Sequence, residues 1–245
     1  MRRHCVPIGL LRRDPRRYRF PLPNAVWDHK LKPIEFVILS YLCYCHSHSR
    51  NDEKVCAEAV AKTVHLSVDT VKKYLSALFD RRLITDEHSL APAFQFADDR
   101  NFFTLPNEIF LLNLPPSAFM VYAYLLLVED RGTHTCHPSY NTIAKQTGMA
   151  RNTVIKSIDI LIDAGLIVME HSRYFDQHGM KWKGNNLYTI LPTRQAVDAF
   201  HQRQLLQLKL DAELRRVRRR KEDYDRRHPR APACVPAVPD PVSTA

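Results

Sequence analysis

The stretch PSYNTIAKQTGMARNTVIKSIDILIDAGLIVM, residues 138–169, decides the fold. Pro138-Ser139 opens a helix expected from Tyr140 to Thr147, with Ile143 and Ala144 turned inward. Gly148 breaks it. A further helix is expected from about Arg151 to Ala164, because Val154, Ile158, Leu161 and Ile162 share one face. Gly165 ends that helix as a C-terminal cap. Beyond it the period changes. Leu166-Ile167-Val168-Met169 reads as a strand, Gly179 to Gly184 with Asn185-Asn186 as a hairpin tip, and Leu187-Tyr188-Thr189-Ile190 as the returning strand. Upstream, Asn113-Leu114-Pro115-Pro116-Ser117 reads as a turn, with Ser117 the candidate N-cap of a first helix. Phe119, Tyr122, Ala123 and Leu126 follow at helical spacing, then a polar loop from Glu129 to His137. The order is helix, helix, turn, helix, β-hairpin: a helix-turn-helix with a wing.

The same plan stands 83 residues earlier. Phe20-Pro21-Leu22-Pro23-Asn24 recurs as Phe103-Thr104-Leu105-Pro106-Asn107, and the register holds without a gap to His88-Ser89 against His171-Ser172. About 21 of the ~70 aligned positions are identical, so one fold unit is used twice. In the first copy helices are expected over about Pro33 to Cys45, Ala57 to Val64 and Val68 to Arg81, with Ser67 capping the third. His65 stands where the second copy has Gly148, and Arg82 where it has Gly165. Each costs conformational energy if its φ is positive. The first wing is shorter, with Phe94-Gln95-Phe96 its expected return strand.

The expected class is mostly α with small β-hairpin wings (α+β): two tandem winged helix-turn-helix domains plus a long C-terminal helix. The expected division is a basic arm at 1–19, domains at 20–100 and 101–192, a long basic helix at 193–228 and a disordered Pro/Ala-rich tail at 229–245. The helix carries Leu206, Leu210, Leu214 and Val217 as a stripe too short to establish a coiled coil. The net charge of +10 is concentrated at the two ends. Residues 1–20 hold seven Arg and one Asp; residues 215–230 hold eight Arg, Lys221 and three acids. Such arms favour polyanions through counterion release. The longest apolar runs, Phe36 to Cys45 and Phe119 to Val128, are too short to span a bilayer. The N-terminus lacks the apolar run and cleavage site of a signal peptide, so the expected location is cytoplasmic, associated with the nucleoid. Six cysteines without a CxxC pair are expected to be reduced thiols.

Pro138-Ser139-Tyr140, Ile143-Ala144-Lys145, Thr147-Gly148-Met149, Arg151-Asn152-Thr153-Val154 and Gly165-Leu166-Ile167 resemble the helix-turn-helix family of replication initiators, phage replisome organisers and related regulators. Leu105-Pro106-Asn107 to Tyr124-Leu125 is similar to the entry segment of initiators from plasmids and integrative elements of Gram-positive bacteria. The family usually has Ser where Ala150 stands, so the third helix has lost a capping hydroxyl. The resemblance implies a DNA-binding winged helix-turn-helix, and origin recognition for a mobile element more than transcription regulation.

In such a unit the third helix enters the major groove with its N-terminal residues at the base edges. Those positions are Arg151, Asn152, Ile155 and Lys156. Arg suits guanine O6 and N7, and Asn suits adenine N6 and N7. Thr142 and Lys145 on the second helix, and Arg173, Lys181 and Lys183 on the wing, are the phosphate candidates. Trp182 is expected to pack the hairpin onto the third helix. In the first copy Thr70, Lys72 and Lys73 are the weaker candidates, and Asp69 is unwelcome beside phosphate. Arg12, Arg13, Arg16, Arg17, Arg215, Arg216, Arg218, Arg219 and Arg220 would add sequence-independent affinity. The two copies are then a built-in pseudo-dimer for two unlike half-sites, or the first copy packs on the second.

No Gly-rich phosphate loop is present. Cys43-Tyr44-Cys45-His46-Ser47-His48 is the best metal candidate, but Cys43 and Cys45 face different sides of a helix. His46-Ser47-His48 is similar to the paired histidines of nicking enzymes, yet those lie on a strand around an apolar residue. The expectation is no enzyme, no cofactor and no metal. Expected partners are double-stranded DNA, replication proteins met through the C-terminal helix, and a second copy as an open alternative. A transcription regulator and a protein-binding adaptor are the rival functions.

Overall fold

Phe20 and Leu22 alternate with Pro21 and Pro23 in a strand, β1 (Arg19–Pro23). Its repeat counterpart is β2 (Phe102–Pro106), and the two pair antiparallel. Phe20 stands opposite Leu105, Pro21 opposite Thr104 and Leu22 opposite Phe103. Pro21 and Thr104 hold the same position in the repeat, so the register places a local two-fold axis through that pair. The structure, a computed structural model, describes residues 18–48, 55–85, 89–91, 101–175 and 181–228, and side chains within these except at 172–175 and 181–185. Neither β1 nor β2 is foreshadowed by the sequence pattern, since Pro argues against a ladder. A two-stranded ribbon leaves half its N–H groups facing outward, where Pro is tolerated.

A short 3-10 turn follows each strand, Asn24–Trp27 and Asn107–Leu112, and brings the equivalent residues Trp27 and Phe110 inside. Next come α1 (Pro33–His48) in the first copy and α4 (Pro116–Val128) in the second. In α4 every residue from Ala118 to Leu126 is buried, the mark of a central helix enclosed all round. The start of α4 corrects the reading of Ser117 as its cap. The N-cap is Pro115, with no side-chain bond, and Pro116 opens the helix, so Ser117 already lies within it. Pro is suited to this place because its fixed φ is helical and its missing N–H would have had no partner.

Most aromatic contacts between the copies come in reciprocal pairs; the exception is Tyr44 on Phe110 at 5.7 Å, because the counterpart of Tyr44 is Leu127. Trp27 meets Phe103 at 6.2 Å between centroids, and Phe110 meets Phe20 at 5.8 Å. Trp27 meets Tyr124 at 5.6 Å, and Phe110 meets Tyr41 at 5.4 Å. Phe36 meets its own counterpart Phe119. This is the pattern of an isologous dimer interface, built within one chain. One hydrophobic cluster runs through both copies, and Met1–Phe200 is one compact unit.

Against α1 and α4 lie the remaining helices: α2 (Ala57–Val64) and α3 (Val68–Asp80), then α5 (Tyr140–Thr147) and α6 (Arg151–Asp163). Ser67 accepts the Thr70 N–H at 3.2 Å, and Ser139 accepts that of Thr142 at 3.0 Å, while Ala150 offers no such bond. His65 and Arg82 do adopt positive φ, 54° and 59°, where the second copy has Gly148 at 68° and Gly165 at 75°. The first copy therefore carries strain that glycine removes from the second.

The second wing is a three-stranded sheet in the order β3-β5-β4, from β3 (Thr135–Cys136), β4 (Ile167–Phe175) and β5 (Lys181–Ile190). The loop read as polar contains β3, which pairs with Thr189 and Tyr188. The hairpin is longer than expected: Gly184, Asn185 and Asn186 belong to β5, and Gly179 lies outside the described residues. In the first copy Ile84 bridges Leu90, and Phe94-Gln95-Phe96 lies outside the described residues. The last helix, α7 (Thr193–Arg227), buries Thr193, Ala196 and Val197 at its start, where Thr193 Oγ1 meets Tyr122 Oη at 3.3 Å. Its residues from His201 onward belong to a separate unit whose side chains are exposed but for the half-buried Asp211; Leu206, Leu210, Leu214 and Val217 are among the exposed ones. No described helix is long and apolar enough to cross a membrane.

Candidate nucleic-acid interface

The two faces of α6 differ sharply. Val154, Ser157, Ile158 and Leu161 are buried against the core, while Arg151, Asn152 and Lys156 are exposed and Ile155 is half-buried. Thr142 and Lys145 of α5 are exposed as well. The helix-turn-helix therefore presents its predicted polar positions to solvent together. The first turn of α6 holds no acid, and Ala150 supplies no cap. Its N–H groups and dipole end are left for an anion. The first copy differs: Ser67 occupies the equivalent N–H, and Asp69 lies in the first turn. There Thr70 is half-buried with its Oγ1 2.7 Å from Ser67 Oγ, and Lys72 and Lys73 are exposed.

Arg151 has a defined resting place. Its guanidinium carbon lies 5.8 Å from the centre of the Tyr140 ring, a cation–π arrangement. Such a contact contributes about 0.5–1 kcal/mol at an exposed site. Tyr140 is held in turn by the wing: its hydroxyl donates to Met169 Sδ at 3.3 Å and also bonds Asn186. Asn186 is buried, donates from Nδ2 to Tyr188 Oη at 2.9 Å, and meets His171 Nδ1 through Oδ1 at 3.0 Å. Burial raises the phenol of Tyr140 above its ordinary range; Asp159 adds to this, while the Asn186 bond and Arg151 oppose it. Burial likewise raises Tyr188. Both phenols are neutral hydrogen-bonding groups at neutral pH. Helix periodicity gave no sign of this network, because Tyr140, Met169 and Asn186 come from three separate elements.

On the wing, Arg173 stands opposite Lys183 in the register, and Lys181 opposite Phe175. The side chains of Arg173, Lys181, Trp182 and Lys183 lie outside those described, as do Arg12, Arg13, Arg16 and Arg17 altogether. Along α7, Arg215, Arg216, Arg218, Arg219 and Arg220 are exposed. Arg216 pairs with Glu213 at 2.7 Å and Arg218 with Glu222 at 3.1 Å. Exposed pairs of this kind contribute about 0–1 kcal/mol each, so they leave the arginines available to stronger anions.

The cysteine-histidine run lies on α1. Cys43 is buried and Cys45 half-buried, so they face different surroundings. His48 Nδ1 donates to the Tyr44 carbonyl at 2.9 Å, and its Nε2 meets Asn107 Nδ2 at 2.9 Å. Among the described residues no group of three or more His, Cys, Asp or Glu is placed to hold a metal ion. Cys136 is buried in β3, and burial pushes its thiol up to about 12.

Comparison with known proteins falls on the segment just described. Residues 112–167 match the helix-turn-helix domain family. The matched helix-turn-helix runs from the end of the 3-10 turn through α4, α5 and α6 to the first residue of β4. The chain is also similar to a solved structure described as a possible transcriptional regulator from Methanosarcina mazei Go1. The two are 18% identical over 42% of this chain and 79% of that one, with a TM-score of 0.29. A search of curated proteins found no match.

Proposed function

We propose that this chain binds specific double-stranded DNA sites through its second copy, with α6 in the major groove. The observation that carries this reading is the exposed Arg151-Asn152 pair at the start of a helix whose other face is buried. Arg151 and Asn152 read base edges, Ile155 meets a thymine methyl, and Lys156, Thr142 and Lys145 contact backbone. Arg173, Lys181 and Lys183 carry the wing to adjacent phosphates. Thr70, Lys72 and Lys73 add a weaker contact from the first copy. The arginines of both ends supply affinity that depends on salt and not on sequence. The narrower reading is origin recognition for a mobile element, with recruitment of replication proteins through α7. The family resemblance of residues 105–167 supports it. Promoter binding by a transcription regulator uses the same surface.

The test is binding to fragments of the element that encodes the gene, at physiological salt, with excess random competitor. Wild type is compared with Arg151→Ala plus Asn152→Ala. The expected result is one fragment that survives competition and is lost by the double substitution. Its position separates origin from promoter. If every fragment binds equally and salt removes all together, the reading fails and a protein-binding adaptor takes its place.

A further inference from the structure

The pairing of β1 with β2 does more than join the copies. In a repeat of 83 residues, only one antiparallel register sets a residue opposite its own counterpart at Pro21, and that register is the one formed. The ring contacts obey the same symmetry: Trp27 on Phe103 answers Phe110 on Phe20, Trp27 on Tyr124 answers Phe110 on Tyr41, and Phe36 meets Phe119. A direct tandem arrangement, in which the second copy is a translation of the first, would give one-way contacts instead. The copies are thus related by a two-fold rotation, and so are α3 and α6, each packed on the central helix of its own copy.

A two-fold relation between reading helices dictates a two-fold relation between the sequences they read. We infer that one chain recognises an inverted pair of half-sites centred on the Pro21–Thr104 axis. This rests on the DNA-binding reading above. The halves are unlike because the helices are. Val68 stands where Arg151 does, Asp69 where Asn152 does and Lys72 where Ile155 does; Lys73 and Lys156 agree. The α6 half carries a purine-directed contact set, with Arg for guanine and Asn for adenine. The α3 half offers Asp69, an acceptor suited to cytosine N4, flanked by lysines for the backbone. The site is therefore inverted in geometry yet lacks sequence palindromy, and a single chain saturates it.

The experiment selects duplexes from a random library with the full chain at physiological salt, then measures stoichiometry on the recovered site by sedimentation. Three altered duplexes follow: the α3 half reverse-complemented in place, the α3 half scrambled, and the α6 half scrambled. The expected result is one chain per duplex and at least tenfold weaker binding for each alteration, with Asp69→Ala changing base preference only in the α3 half. Recovery of a site that tolerates reversal or scrambling of one half overturns the inference while leaving DNA binding intact. So does a complex of two chains per duplex. Failure to recover any sequence overturns both readings together.

Discussion

The rings of Phe36 and Phe119 meet edge to face, 6.2 Å between centroids and 63° between planes, and the two residues are the same position of the repeat. They sit on α1 and α4, the two helices that the copies press together. A shared core of this kind couples the copies in stability. Phe36→Ala and Phe119→Ala each leave a cavity in both copies, and each is expected to cost about 3–5 kcal/mol. Denaturant unfolding followed by the fluorescence of Trp27 and Trp182, one in each copy, and by helical circular dichroism should give coincident transitions over residues 18–200. Two separated transitions in the wild type would show that the copies are independently stable.

Turn strain divides the copies. Arg82 and Gly165 close equivalent helices at φ 59° and 75°. A non-Gly residue in this region costs about 1–2 kcal/mol, and Gly gives back about 0.5–1 kcal/mol of that in unfolded-state entropy. Arg82→Gly is therefore expected to stabilise by about 0.5–1 kcal/mol. Gly165→Ala is expected to destabilise by a similar amount; a Cβ there meets nothing within 4 Å, so the penalty is one of backbone alone. Thermal unfolding of both variants decides it. A loss in Arg82→Gly would mean that the arginine side chain outweighs its backbone.

Much of this architecture is visible in residues alone. Pro138-Ser139, Gly148 and Gly165 mark helix limits by local chemistry, and the structure places all three where that chemistry requires. The two-fold relation was not legible. Repeat periodicity shows that a unit recurs but says nothing of rotation against translation, and β1 and β2 were hidden by prolines that usually forbid strands. The two-residue strand β3 carried no periodic signal at all. At the site, the exposed face of α6 followed from helical spacing, whereas the seat of Arg151 on Tyr140 depends on a long-range contact that spacing cannot express.

Of the equivalent helices α3 and α6, only α6 starts without a side-chain cap. Ala150 already has the extended backbone of an N-cap, φ −64° and ψ 143°. Ala150→Ser is expected to stabilise by about 0.5–2 kcal/mol, as its hydroxyl takes the Thr153 N–H in the way Ser67 takes that of Thr70. Chemical denaturation measures the gain. If the same variant also binds DNA more weakly at unchanged sequence preference, the uncapped N–H groups serve a phosphate.

Charge on α7 should be visible in salt and invisible in sequence preference. Replacing Arg215, Arg216, Arg218, Arg219 and Arg220 by Gln takes away the cations that would neutralise phosphates along this helix. The slope of log K against log salt is then expected to flatten by about 0.9 for each phosphate no longer neutralised. The ratio of specific to random binding should stay near its wild-type value at fixed salt. An unchanged slope would remove this helix from the DNA surface and leave it to a protein partner.

Tyr140 touches Arg151 with its ring and the wing with its hydroxyl, and the two ends can be separated. The ring carries the guanidinium at 5.8 Å, and the hydroxyl ties that ring to Met169 and Asn186 of the wing. Tyr140→Phe keeps the first and removes the second; Tyr140→Leu removes both. A free guanidinium samples more rotamers, and ordering it on a base costs about 0.5–1.5 kcal/mol more. Tyr140→Leu is therefore expected to weaken the preferred site by about threefold to tenfold, with little change on random DNA, while Tyr140→Phe loses less. The decisive readout is base preference at the Arg151 position. In an Arg151→Ala background the step from Tyr140 to Leu should no longer alter it. If the loss persists undiminished in that background, Tyr140 supports the fold of the wing and not the arginine.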